Sequence, residues 1–127
     1  MIPSTVDPKT SALLVMDFQT AAVEMVPTEK EGLLARTATL VERARNAGMS
    51  VIYVVVGFRA GYPELSPRNQ VFAPIRGSGR FTEGAAGMEV HAAVAPKPGE
   101  VVVTKHRASA FFGTDLDMIL QIGRAHV

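Results

Sequence analysis

Ser11-Ala-Leu-Leu-Val-Met-Asp17 and Val51-Ile-Tyr-Val-Val-Val56 are short unbroken apolar runs, the first preceded by Pro8 and the second closed by Gly57. Runs of this length without polar alternation read as strands buried on both faces, which is the pattern of a parallel sheet. The second is rich in β-branched residues, which suit a pleated, packed surface. A third run, Val101-Val-Val-Thr104, is entered through Pro96-Lys-Pro-Gly-Glu100. All three are expected to lack a wet face.

A helix fits between the first two runs. Thr28 and Glu31 have the spacing of a capping box, in which each side chain satisfies a free backbone N–H at the helix start. Leu33, Leu34, Thr37, Leu40, Val41 and Ala44 recur every three or four residues and predict one apolar stripe. Gly48 stands where a left-handed residue would end the helix. Strand, helix and strand form a βαβ unit, so the fold class is α/β. Residues 57–99 are rich in Gly and Pro and predict a long irregular segment, a functional loop or flap. After the third strand, Thr114 caps a further helix whose Leu116, Ile119 and Leu120 face the core.

Composition narrows the function. The chain has 127 residues, with 13 Lys plus Arg against 12 Asp plus Glu and a net charge of +1. No basic run stands out, so no nucleic-acid partner is expected. The longest apolar stretches fall far short of the roughly 20 residues of a membrane span, and the N-terminus lacks a signal-peptide pattern, so no membrane partner is expected and a cytoplasmic protein is the default. There is no cysteine, which removes disulfides, Cys-ligated zinc and a thiol nucleophile from these residues.

Two helices are few for a buried parallel sheet, which needs cover on both faces. The chain is therefore expected to be the N-terminal part of a larger α/β domain, truncated after the third strand. The alternative is a minimal domain completed by oligomerisation. Ile122-Gly-Arg-Ala-His-Val127 matches the translation of a sequencing-library adapter, so residues 1–121 are assigned to the domain and 122–127 to a non-native tail.

Asp17 and Lys105 end the first and third strands, at the carboxyl edge where open α/β sheets hold their ligands. Parallel strands can bring this carboxylate and ammonium together, and a buried lysine there would stabilise negative charge developing on a substrate. A turn-capping Asp and a solvated loop Lys are the plainer alternatives. Among neighbouring residues, Phe18, Phe111 and Phe112 are candidates for an aromatic pocket or for core packing. Arg59 is a candidate for gripping a substrate carboxylate. Gly77-Ser-Gly-Arg80 lacks the setting of a phosphate loop and reads as a flexible flap; an anion-binding regulator built there is a third reading of function.

Ala12-Leu-Leu-Val-Met-Asp-Phe-Gln19 together with Val101-Val-Val-Thr-Lys-His-Arg-Ala-Ser-Ala-Phe-Phe-Gly-Thr-Asp-Leu-Asp117 resembles the isochorismatase-like cysteine hydrolases, which include isochorismatases, nicotinamidases and N-carbamoylsarcosine amidases. The resemblance runs from about residue 10 to 121, and Gly57-Phe-Arg59 with Tyr62-Pro-Glu64 also looks like one branch of the family. It implies a Rossmann-like three-layer α-β-α fold and hydrolysis of an amide-type C–N bond by an Asp-Lys-Cys triad. By that resemblance Asp17 takes the thiol proton and Lys105 orients and stabilises charge. Phe18, Gln19, Arg59 and Phe111 would contact the substrate. The cysteine would lie beyond residue 121, at a helix N-terminus that favours its thiolate.

The departures are specific. Only Gln19 remains of the family's Gln-Asn-Asp-Phe, and Gly57-Phe-Arg59 replaces the Asp-x-His metal site of nicotinamidases. His91, His106 and His126 are too scattered for metal spacing, so no metal and no cofactor are expected. The expected partners are a small-molecule substrate and, in the full-length form, further copies of the chain. The alternative functions are a vinyl-ether-cleaving isochorismatase without the Cys and a non-catalytic binding or assembly module of the same fold.

Overall fold

The computed structural model describes residues 5–124; His126 and the end of the tail lie outside them. The three apolar runs become β1 (Ala12–Met16), β2 (Ser50–Val56) and β3 (Val102–Lys105), parallel and in the order β1-β2-β3. Met16 stands opposite Val54, and Val56 opposite Lys105, which aligns the carboxyl ends of all three.

Between β1 and β2 lie α1 (Thr20–Glu24) and α2 (Lys30–Asn46). Sequence patterning misses α1 because five residues are too few to show a helical period. The α2 C-terminus follows expectation. Gly48 has φ +79°, its N–H donates to Arg45 and the Met49 N–H donates to Ala44, which is the Schellman arrangement. Its N-terminus does not, because no capping box forms. Glu29, at φ +58°, occupies the cap position, and no side chain caps the first turn. The residue before the helix turns left-handed, so Thr28 sits one place too early to cap it.

The helices cover opposite faces of the sheet. Val41 and Ala44 of α2 pack on Val15, Val51 and Tyr53, while Leu34 joins Val23 and Val94. Leu40 leaves the expected stripe and is 53% exposed, because it sits about 100° around the helix from Val41. On the other face α3 (Leu116–Arg124) buries Leu116 against Ile52, Val54, Val103 and Ala110, with Ile119 and Leu120 packed alongside. The Thr114 hydroxyl accepts from the Leu116 N–H, so Thr114 tethers the start of α3. The outcome is the expected three-layer α/β arrangement. β3 departs from it in part: Val102 is 45% exposed, and Val101 just before the strand 40%, since α2 packs over β1 and β2 without reaching the third strand.

Residues 57–99 are irregular but packed. Phe58, Tyr62, Leu65, Phe72 and Phe81 form a cluster of their own with Ala21 and Val56. Phe58 meets the Phe72 ring edge-on at 5.6 Å between centroids, within the favourable aromatic range. Gly77-Ser-Gly-Arg80 is tied down from its last residue, whose carbonyl accepts from the Tyr62 hydroxyl at 3.0 Å.

A polar staple joins the end of α2 to the approach to β3. Arg45 grips Glu100 through two nitrogens at 3.0 and 2.6 Å and also donates to Glu42, the Tyr53 hydroxyl and the Ala95 carbonyl. The Arg45 hydrogen bond, partly opposed by burial, holds the Glu100 carboxyl below its usual range. Burial pushes the Tyr53 phenol up.

Candidate active site

At the carboxyl end of β1 the backbone turns sharply. Asp17 has φ +63°, a left-handed conformation costing a non-glycine residue on the order of 1 kcal/mol or more. The turn takes its side chain out of the strand alternation. At the end of β3, Lys105 is buried and reaches across the end of β2 to the Asp17 carboxylate, at 3.2 Å to Oδ1 and 3.4 Å to Oδ2. Its ammonium also donates to the Ala108 carbonyl at 3.0 Å, so the loop after β3 folds back over its own lysine. Residues 88 apart in sequence thus meet at one rim of the sheet.

The pair is asymmetric. The Lys105 side chain is 4% exposed and the Asp17 side chain 47%. A buried positive charge is held in place by the carboxylate and the Ala108 carbonyl, and the carboxylate keeps an open side. A carboxylate so placed can accept a proton from an approaching nucleophile, and the fixed ammonium can offset negative charge that develops beside it.

The other expected site residues divide. Phe18 packs into the core beside Val41, Val23 and Leu34, with its backbone carbonyl accepting from the His91 N–H. Gln19 lies next to the pair in sequence but has no exposed surface, and its amide is engaged by backbone groups of Val56 and Met88. It has no amide N–H left for a substrate, which corrects its expected role. Arg59 is 69% exposed and is held by Glu64, whose carboxylate also accepts from the Arg59 backbone N–H. Its contact with a substrate therefore competes with that carboxylate.

Phe111 is not brought to the pair. It is half-exposed and lines a cleft of about 810 Å³ with Ala12, Ser50, Val51 and Leu120, at the amino ends of the strands. Phe112 is 68% exposed. Among the described residues no group of three or more His, Asp or Glu side chains is arranged to hold a metal ion, and no helix is long and apolar enough to cross a membrane.

Sequence reasoning missed the Ala108 carbonyl, the contacts of the Gln19 amide and His106. The His106 ring meets the Gly57 carbonyl at 2.5 Å and lies 4.0 Å from Glu64. Its position next to Lys105 was the only signal available.

Comparison with known proteins agrees with this architecture. The isochorismatase domain matches residues 11–126. The chain is 32% identical over 132 residues to the ureidoacrylate amidohydrolase RutB of Variovorax paradoxus, covering 87% of this chain and 52% of that protein. It is 30% identical over 121 residues to the secreted isochorismatase effector Isc1 of Verticillium dahliae, covering 94% and 55%. Among solved structures, an isochorismatase family protein from Desulfovibrio vulgaris superposes with a TM-score of 0.75 at 30% identity, covering 91% of this chain and 62% of that one. The N-carbamoylsarcosine amidase of Thermoplasma acidophilum superposes at 0.69 with 26% identity, covering 89% and 61%. The chain spans little more than half the length of the curated relatives it matches. With the domain match running over almost the whole sequence and the sheet, helices and strand ends arranged as in these structures, the chain belongs to the isochorismatase domain family.

Proposed function

We propose that Asp17 and Lys105 are two of the three catalytic residues of a hydrolase that cleaves an amide-type C–N bond in a small molecule. The observation that carries this reading is the contact between a buried ammonium and a half-exposed carboxylate at the carboxyl edge of the sheet. Amidohydrolases among the relatives support the bond type. In this reading residues 1–121 are the N-terminal part of one isochorismatase-like domain, residues 122–127 are a non-native tail, and the nucleophile is a cysteine of the remaining part.

The reaction then runs in two halves. Asp17 accepts the thiol proton and the thiolate attacks the substrate carbonyl carbon, placing negative charge on its oxygen. Lys105 offsets that charge through its fixed position. The C–N bond breaks, ammonia or an amine leaves with the proton held by Asp17, and a thioester remains. Water attacks the thioester, Asp17 takes its proton, and the acid and the thiol are released.

The partners follow from the same reading: a small-molecule substrate, and a second copy or the rest of the domain over the exposed Phe112, Met118 and Ile122. A cytoplasmic setting completes it.

The test measures ammonia release from ureidoacrylate and from N-carbamoylsarcosine by the full-length protein. Asp17→Asn and Lys105→Ala should each lower kcat by about 10²–10⁴-fold while far-UV circular dichroism is retained. Near-normal turnover in either variant overturns the assignment. Inactivation by iodoacetamide separates the thiol route from vinyl-ether cleavage without a covalent intermediate and from a non-catalytic module.

A further inference from the structure

β1 leaves the sheet one step earlier than β2 does. The Asp17 N–H still donates to the Val54 carbonyl at 3.0 Å, as a parallel ladder requires. Continued by one more step, that ladder would send the Val56 N–H to the Asp17 carbonyl and the Gln19 N–H to the Val56 carbonyl. Neither bond forms, because Asp17 has turned left-handed and the chain has swung away.

The Gln19 side chain takes both places. Its Oε1 accepts from the Val56 N–H at 2.8 Å and its Nε2 donates to the Val56 carbonyl at 2.7 Å. A primary amide carries the same acceptor and donor as a peptide group, so it can satisfy a strand edge as backbone would. The second Nε2 proton goes to the Met88 carbonyl at 2.9 Å, tying in the 86–88 turn. The side chain is 0% exposed, in a setting where an unmet donor or acceptor is costly.

We propose that Gln19 is a positioning residue for the site: its amide stands in for the peptide group that β1 withholds at Val56. This frees Asp17 to leave the sheet and present its carboxylate to Lys105. The inference rests on the reading of Asp17 as the proton acceptor. It extends that reading by explaining how a strained residue is held at a strand end without leaving β2 backbone groups unmet.

The charge variant Gln19→Glu tests this in the full-length protein. An ionised carboxylate can accept from the Val56 N–H but turns a negative oxygen toward the Val56 and Met88 carbonyls. A protonated carboxyl donates one bond and restores most of the surrogate. With ammonia release from ureidoacrylate or N-carbamoylsarcosine as the readout, kcat at pH 8 should fall about a hundredfold with KM within about twofold, the scale of a misplaced catalytic group. The ratio of variant to parent kcat should climb at least tenfold toward pH 5.5, whereas Gln19→Leu should stay low at every pH. A merely structural role would lower the yield of folded protein and leave that ratio flat.

Amide hydrogen exchange provides the arm that does not depend on turnover. In Gln19→Leu the Val56 amide should exchange at least tenfold faster while the Val54 amide keeps its protection. Unchanged exchange at Val56, or accelerated exchange with parent-like kcat, overturns the proposal. If Asp17→Asn proves fully active, or the parent releases no ammonia, the hydrolase reading fails by itself. The surrogate is then judged by exchange at Val56 and by whether a crystal structure of Gln19→Leu keeps the Lys105–Asp17 contact; a kept contact overturns it.

Discussion

Replacing Arg45 with methionine keeps much of the packing volume and removes the guanidinium that joins α2 to the approach to β3. The loss can be sized from the geometry. Arg45 holds Glu100 through two nitrogens, and the two side chains are only 15% and 17% exposed. Removing one member of a fully buried pair costs about 3–5 kcal/mol. Here Glu100 keeps the Lys97 N–H at 2.7 Å, and some solvent reaches both groups, so about 2–3 kcal/mol is expected. Urea unfolding followed by circular dichroism reads it directly, with an unchanged m-value confirming that only stability has moved. Acid supplies an independent check. The folded state holds the Glu100 carboxyl below its usual 4.5, chiefly through the Arg45 hydrogen bond. The associated stability is therefore fully present above the unfolded value and is lost as pH falls through the folded one. The gap between parent and Arg45→Met should narrow from pH 6 toward pH 3. A loss under about 0.5 kcal/mol, or a gap that widens in acid, would refute the reasoning.

The Asp17–Lys105 pair should respond unequally to the loss of either member. Asp17→Asn leaves a buried ammonium with neutral carbonyl acceptors alone, whereas Lys105→Met leaves a carboxylate that water already reaches. Discounted for solvent screening at the exposed end, the asparagine variant should be less stable by about 1 kcal/mol, and the reverse order in urea would count against the described burial. Gly57→Ala should cost about 1–3 kcal/mol, because the new Cβ would meet the Met88 terminal methyl and come within 2.9 Å of Thr104 Cγ2. Met88→Ala in the same background should recover part of that loss, while strict additivity in a double-mutant cycle would exclude the contact.

The parts legible in the sequence are those that local pattern determines. Val51–Val56 is too apolar and too short to be anything but a buried strand, and Gly48 follows a helical stripe at the place a left-handed residue is needed. Asp17 and Lys105 are visible because each ends such a strand, and parallel strands align their ends. The parts that stay hidden depend on partners distant in the chain. Gln19, which by resemblance reads as a substrate contact, shows its bonding only when Val56, 37 residues away, supplies the groups. Phe58, Tyr62, Leu65, Phe72 and Phe81 have no regular spacing, so their cluster escapes any search for periodicity. The capping box of Thr28 and Glu31 fails to form because Glu29 turns left-handed, which residue type alone does not determine.

The 810 Å³ hollow and the Asp17–Lys105 pair occupy opposite poles of one sheet. Ser50 borders the hollow and Val56 adjoins the pair's end of the strand, a separation of about 20 Å at the usual rise per residue. A fragment-soaking campaign steered by that void would therefore collect compounds far from Asp17 and Lys105. On the proposed assignment their affinity would say nothing about inhibition, and a screen scored on turnover would pass them over.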